Sequence, residues 1–280
     1  MKNRSYKKLM LKTSIWFLTI LCPILLSAQT VTKGPYLLVP GKTSVSILWE
    51  TDAPATGQII GGIGASHKFS VNGRLLGQKD GGYLYQAAIS GLKPGQEYTY
   101  RLKLGDVSAA VHHFRTAPPD DGPFSFVALG DSRSNPDIFR VINEQVNRLN
   151  PDLIISMGDL VAEGGNYAEW GKYYFAPAAQ VIDHIPLIST LGDHEGSSDN
   201  GDLFRYFLLP EMKTERLWFS FDYGPAHFVS LDYPTGEKGS GRRSSGNIKW
   251  TLSLVVIPMN TNGFIPCGLR RNRRAGRSPT

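Results

Sequence analysis

Cysteine is nearly missing from this sequence, with two copies, Cys22 and Cys267, among 280 residues. Cys22 falls in a segment expected to be cut away, and Cys267 then has no internal partner. A disulfide framework is therefore excluded, and the fold must hold through its core alone. No apolar run approaches the ~20 residues that a membrane-crossing helix needs. Ile15–Leu26 is apolar apart from Thr19 and Pro23, but it is only 12 residues long. Lys2, Arg4, Lys7, Lys8 and Lys12 precede it without an acid, and Ser27-Ala28-Gln29 follows. This arrangement predicts a signal peptide over 1–28, cleaved near Ala28. The expected location is therefore secreted, periplasmic or at the cell envelope, with no transmembrane segment. Leu21 is not small, so Cys22 does not read as a lipid-attachment site.

Acid is missing from the end of the chain. The last acidic residue is Glu237, and residues 238–280 carry nine Lys or Arg. The whole chain has a formal net charge of +6, so its basic excess belongs to this segment and the remainder is net acidic. A basic tail can bind nucleic acid or an anionic membrane. Histidine stops early as well: His67, His112, His113, His184, His194 and His227 are all there are. His184 and His227 lie beside or inside strand-like runs and read as structural.

What is present is a recurrence. Three apolar runs end in Gly-Asp: Phe124–Leu129 before Gly130-Asp131, Leu153–Met157 before Gly158-Asp159, and Ile185–Leu191 before Gly192-Asp193. The runs read as buried parallel strands. Residues 136–149 and 166–182, which lie between them, have helical length and mixed polarity. In open α/β sheets ligands bind beyond the carboxyl ends of the strands. A single Gly-Asp is ordinary turn chemistry. Three in register bring three carboxylates toward one point, where mutual repulsion calls for a cation and hard oxygen donors suit a divalent one. His194, directly after Asp193, adds a proton-transfer group.

Gly130-Asp131-Ser132-Arg133, Gly158-Asp159-Leu160-Val161 and Gly192-Asp193-His194-Glu195 resemble the first three motifs of the calcineurin-like metallophosphoesterases, most closely the branch related to purple acid phosphatases. The resemblance covers about Phe124 to Tyr233. It implies hydrolysis of phosphoric esters at two divalent ions drawn from Fe, Mn, Zn and Mg, with a phosphoester as partner. Asp131 would bind one ion, Asp159 would bridge both, and Asp193 would bind the second. His194 would face the scissile phosphate or the leaving group.

The sequence also departs from the family. Asp193 stands where the family has Asn. Arg133 stands where many members have a ligating His; a guanidinium has no lone pair for a metal, so it either holds a phosphate oxygen or pairs with Asp131. Ala162 replaces the tyrosine that colours purple acid phosphatases. The later histidines, including a Gly-His-x-His pair, are missing. Beyond Trp250 the family pattern stops where the composition turns basic, as an altered reading frame would produce. That reading is preferred over a genuine basic tail, and a nucleic-acid partner is not expected.

The segment 31–118 differs in character, alternating short β-rich runs with Gly, Pro and Asp turns. Thr43–Trp49 reads as a half-buried strand with Trp49 in the core. Gly91–Leu102 resembles the tyrosine corner of sandwich domains. The expected organisation is a signal peptide (1–28), an all-β fibronectin type III-like sandwich (31–118) and a linker (119–123). An α/β metallophosphoesterase domain, partial as written (124–250), and an atypical basic tail (251–280) complete it. The expected function is a secreted metal-dependent phosphoric ester hydrolase, this copy impaired. The alternative is a secreted binding module with a vestigial site.

Overall fold

The computed structural model describes residues 29–231, except 39, 65, 106, 109, 200 and 212–216, together with 254–258. The expected signal peptide and most of the basic segment lie outside the described residues.

Nine strands come first: β1 (Val31–Leu37), β2 (Ser44–Thr51), β3 (Gly57–Ile63), β4 (Ser66–Asn72), β5 (Arg74–Lys79), β6 (Gly82–Ser90), β7 (Glu97–Leu104), β8 (Val107–Ser108) and β9 (His112–Arg115). One antiparallel sheet has the order β1-β2-β6-β5; the other runs β4-β3-β7, with β8 and β9 both paired to β7. Leu37, Val45, Ile47, Trp49 and Tyr85 from the first sheet share one core with Ile59, Tyr98, Tyr100 and Phe114 from the second. Trp49 is fully buried and stacks on Tyr85 at 5.9 Å between centroids. Glycine at 57 makes room for it, because a Cβ there would stand 2.5 Å from Trp49 Cζ2. The Tyr98 hydroxyl accepts from the Lys93 backbone N–H at 2.9 Å, tying the 91–98 turn to the sheet.

The expectation that β2 is half-buried is corrected here. Val45, Ile47 and Trp49 face the shared β core, while Leu48 on the opposite face packs into the core of the following α/β region. Both faces are covered because the two parts of the chain pack on each other.

That α/β region comprises β10 (Phe126–Leu129), α1 (Pro136–Leu149), β11 (Leu153–Ser156), α2 (Tyr167–Glu169), a π-helical stretch (Trp170–Phe175), α3 (Ala176–Ile182) and β12 (Leu187–Ser189). It continues with α4 (Asp193–Asp199), α5 (Asp202–Leu208), β13 (Phe219–Tyr223), β14 (Ala226–Ser230) and β15 (Leu254–Pro258). α1 has Pro at its first turn and ends on Asn150 in the left-handed region, whose N–H returns to the Val146 carbonyl. Proline at the first turn and a left-handed residue just past the end are the usual boundary signals. Asn166 caps α2 by accepting from the Ala168 N–H.

β10, β11 and β12 are parallel and lie in that order, with Phe126 opposite Leu153 and Ile154 opposite Leu187. β11 and β12 are buried throughout, as expected. β10 is not: Phe126 is 41 % exposed, although β12, the opposite edge of the same sheet, is buried. β13, β14 and β15 form a separate antiparallel sheet, so residues 254–258 pair with β14. His227 on β14 contacts Asp222 Oδ1 on β13 at 2.6 Å.

The apolar cluster of Trp170, Tyr174, Phe175, Phe204 and Phe207 extends without a break to Tyr36, Leu48 and Leu84 of the first sheet. The Tyr36 hydroxyl donates to the Phe207 carbonyl at 2.7 Å, and Gln86 Nε2 donates to Glu211 Oε1 at 2.7 Å. A second junction gathers histidines around Asp183. His112 Nδ1 lies 2.8 Å from Asp183 Oδ2, His184 Nδ1 lies 2.5 Å from Asp183 Oδ1, and the Tyr100 hydroxyl donates to the Asp183 carbonyl. The His113 and His184 rings meet at a tilt of 37° with centroids 4.7 Å apart.

Candidate metal centre

Each Gly-Asp lies just past the carboxyl end of its strand. Asp131 and Asp159 adopt φ of 56° and 58°, a left-handed conformation that few residues other than glycine accept. Two backbone hydrogen bonds stitch their loops together: Asp131 N–H to the Gly158 carbonyl at 3.2 Å, and Arg133 N–H to the Asp159 carbonyl at 3.0 Å.

Asp159, Asp193 and His194 converge. One ligand atom from each lies within 4.8 Å of the other two, the only such group of three among the described residues. Asp159 is 9 % exposed and accepts from the His194 N–H through Oδ1 at 3.3 Å. Burial raises the Asp159 carboxyl above its ordinary pKa and the Asp193 charge adds to this, while the His194 N–H and Arg133 pull it back. A carboxylate held up by burial and a like charge is a site where a cation relieves both costs. The His194 Nδ1–H donates to the Ala162 carbonyl at 2.6 Å, so in the neutral ring the lone pair is on Nε2. Two carboxylates and an imidazole are a donor set that fits one divalent ion.

Asp131 is beside this group rather than in it. Its side chain is 75 % exposed and bound to Arg133 Nη1 at 2.6 Å. The same Nη1 also contacts Asp159 Oδ2. Of the two roles left open for Arg133, pairing with Asp131 is realised, and the pairing extends to Asp159. The guanidinium therefore stands between the two carboxylates that the family resemblance would assign to the first ion.

Glu195 closes the third motif. Its carboxylate is fully buried and accepts from four backbone N–H groups, those of Asp159, Leu160, Val161 and Gly192. Burial raises its pKa, against the opposing pull of these hydrogen bonds. Glu169 acts likewise on the N–H groups of Ala162 and Glu163. The only hint in the sequence was the position of Glu195 three residues after Gly192, the offset at which a helix-capping glutamate reaches back. A cavity of about 230 Å³ lies at the other end of the sheet, between Glu97, His113, Arg115, Ser125, Asp152 and His184, away from the carboxylates.

Residues 111–249 match the calcineurin-like phosphoesterase family. Acid phosphatase type 7 of Mus musculus is 25 % identical over 209 residues, covering 70 % of this chain and 47 % of that protein. This is a metallophosphoesterase domain of the calcineurin-like, purple acid phosphatase-related kind, preceded by a β-rich region. The probable inactive purple acid phosphatase 1 of Arabidopsis thaliana is 23 % identical over 195 residues, covering 57 % of this chain and 32 % of that protein. The chain thus spans about half the length of the acid phosphatase and a third of the plant protein. The structure of PhoD superposes on this chain with a TM-score of 0.53 at 14 % identity, over 69 % of this chain and 50 % of PhoD, a likeness of fold alone. No helix among the described residues is long and apolar enough to cross a membrane.

Proposed function

We propose that this chain is an exported binding protein with an impaired, vestigial metallophosphoesterase site. Arg133 is the observation that carries the reading. Its guanidinium contacts both Asp131 and Asp159, leaving Asp159, Asp193 and His194 as a set suited to one divalent ion. In-line displacement at phosphorus uses two ions as a clamp on attacking and leaving oxygens. A divalent ion held by Asp159, Asp193 and His194 would supply Lewis-acid polarisation of a phosphoryl oxygen. The chain's own groups define the set: Arg133 is paired with Asp131 and Asp159, and Nε2 is the nitrogen with which His194 would join the ion, because Nδ1 is held by the Ala162 carbonyl.

Recognition is assigned to the β region, read as a fibronectin type III-like module over 31–118. Two antiparallel sheets on one core support this, as does the Tyr98 hydroxyl bonded back to Lys93. The linker 119–123, the catalytic-type domain 124–250, the signal peptide 1–28 and an out-of-frame segment from Thr251 complete the proposal. N-terminal sequencing of secreted material tests the export; an intact Met1 in the cytoplasm overturns it. Reading the coding DNA past codon 250 in all frames tests the tail.

The second reading is a working metal-dependent hydrolase of phosphoric esters, favoured by the fixed orientation of His194. Metal analysis with turnover of a generic aryl phosphate separates the two. The expected result is about one bound divalent ion per chain and no turnover that depends on Asp159. Two bound ions with turnover lost in Asp159→Ala establish the hydrolase instead.

A further inference from the structure

We infer that Glu195 is the positioning residue of the candidate centre, setting where Asp159 and Asp193 stand without itself being a ligand. This rests on the reading of Asp159, Asp193 and His194 as metal ligands. The Glu195 carboxylate lies between two loops and binds both. Oε1 accepts from Leu160 N–H at 2.6 Å and Val161 N–H at 3.1 Å, and Oε2 accepts from Asp159 N–H and Gly192 N–H, each at 2.9 Å. An ionised carboxylate has about four acceptor positions, so all are taken and none is left for a metal.

The brace runs in both directions. Glu195 takes the Asp159 N–H from the start of α4, and the Asp159 carboxylate takes the His194 N–H of that helix in return. Asp159 is thereby held at φ 58°, after Gly158 at φ 89°. A residue other than glycine persists in such a conformation only where its surroundings over-determine it. Glu195 is the over-determining group here, since three of its four hydrogen bonds go to Asp159 and the two residues after it.

The neighbouring glycines are shaped around the same carboxylate. A Cβ at 192 would run into Asp159 Oδ1 and stand 2.5 Å from Glu195 Oε2. One at 164 would run into the Glu195 backbone, where Gly164 N–H donates to the His194 carbonyl at 3.0 Å. Turn chemistry alone explains why each Gly-Asp bends. It does not explain why the second and third loops share one buried charge.

The test compares the full 280-residue chain with Glu195→Gln, which keeps the size but turns one acceptor into a donor facing N–H groups. Amide exchange followed by NMR is the first measurement. Exchange at Asp159, Leu160, Val161 and Gly192 is expected to quicken about tenfold or more, with the β2 amides unchanged. Mn²⁺ affinity of the folded variant is the second, expected to weaken about tenfold or more, as for lost supports of metal ligands. Unchanged exchange overturns the brace. Quickened exchange with unchanged Mn²⁺ affinity overturns the positioning role and leaves a merely structural one. If the wild-type chain binds no Mn²⁺, the metal reading fails, and the exchange measurement alone still decides the brace. If Glu195→Gln does not fold, the wild-type amides decide. Protection like that of β11 supports the brace, and exchange as fast as at the exposed turn around Gly81 overturns it.

Discussion

Lys33 and Glu50 are directly opposite partners on β1 and β2 and form an ion pair buried between the β region and the metallophosphoesterase domain. Glu50 is 1 % exposed; it also accepts from Thr32 Oγ1 at 2.6 Å and from the Tyr167 hydroxyl. Lys33 Nζ lies 4.0 Å from the Tyr167 ring centroid. Burial, and then the Glu50 carboxylate, raise the pKa of the Tyr167 phenol, so it stays a donor at any working pH.

Removing one member of this pair leaves the other charge buried and alone. Glu50→Ala is expected to destabilise the protein by about 3–5 kcal/mol in urea unfolding. Combining Lys33→Met with Glu50→Leu is expected to recover most of that loss, since a matched apolar pair leaves no stranded charge. A Glu50→Ala loss below about 1 kcal/mol would place the pair in solvent contact.

Phe207 joins the two parts. Its ring packs 5.2 Å from Phe175 and 5.3 Å from Trp170, and its carbonyl accepts from Tyr36. Phe207→Ala is expected to cost about 3–5 kcal/mol. Because the core is continuous across the junction, the wild-type chain should unfold in one transition and the variant in two. Far-UV circular dichroism and tryptophan fluorescence, followed together, check this.

Arg133 competes for the carboxylates that a cation would use. Arg133→Gln is expected to tighten Mn²⁺ binding by about tenfold, roughly 1.4 kcal/mol. Calorimetric titration measures it. Weaker binding in the variant would mean that Arg133 supports the ligands instead of opposing the ion.

Acid should loosen the junction at Asp183. Burial by itself raises the pKa of this carboxyl, but hydrogen bonds from His112 and His184 outweigh it and hold the value at about 2, against 3.8 ordinarily. A depressed carboxyl contributes stability that is fully present above its unfolded pKa. That stability is lost as pH falls from about 4 through 2, here on the order of 1–2 kcal/mol after screening. His113 is shifted down from 6.5 by burial first and by its neighbour His184 second, so its neutral form is favoured in the fold. Its contribution is therefore present above 6.5 and falls away as the pH drops below that value. Urea midpoints across this range should decline in two stages. Asp183→Asn should remove part of the lower stage and His113→Gln part of the upper one.

Local pattern carried much of this protein. Apolar runs ending in Gly-Asp placed three parallel strands, because a buried strand needs a continuous apolar stretch and its exit needs turn residues. α1 was legible to the residue, since proline opens it and Asn150 closes it. Strand order, which adjacent βαβ connections restrict, pointed to convergence of Asp131, Asp159 and Asp193; Asp159 and Asp193 meet, joined by His194, while Asp131 stands beside them on Arg133. Tertiary packing decided the rest. β2 is buried on both faces only because a second core lies against its outer side. β10 is partly exposed although its run is apolar, because burial depends on what covers its faces, and its own sequence does not encode that. Arg133 had two permitted partners by its chemistry, and the folded loops brought Asp131 and Asp159 within its reach. Glu195 read as one more acidic residue until folding placed it among four amide groups. A carboxylate's role is set by the donors around it, and three of these four belong to a loop more than thirty residues away in sequence.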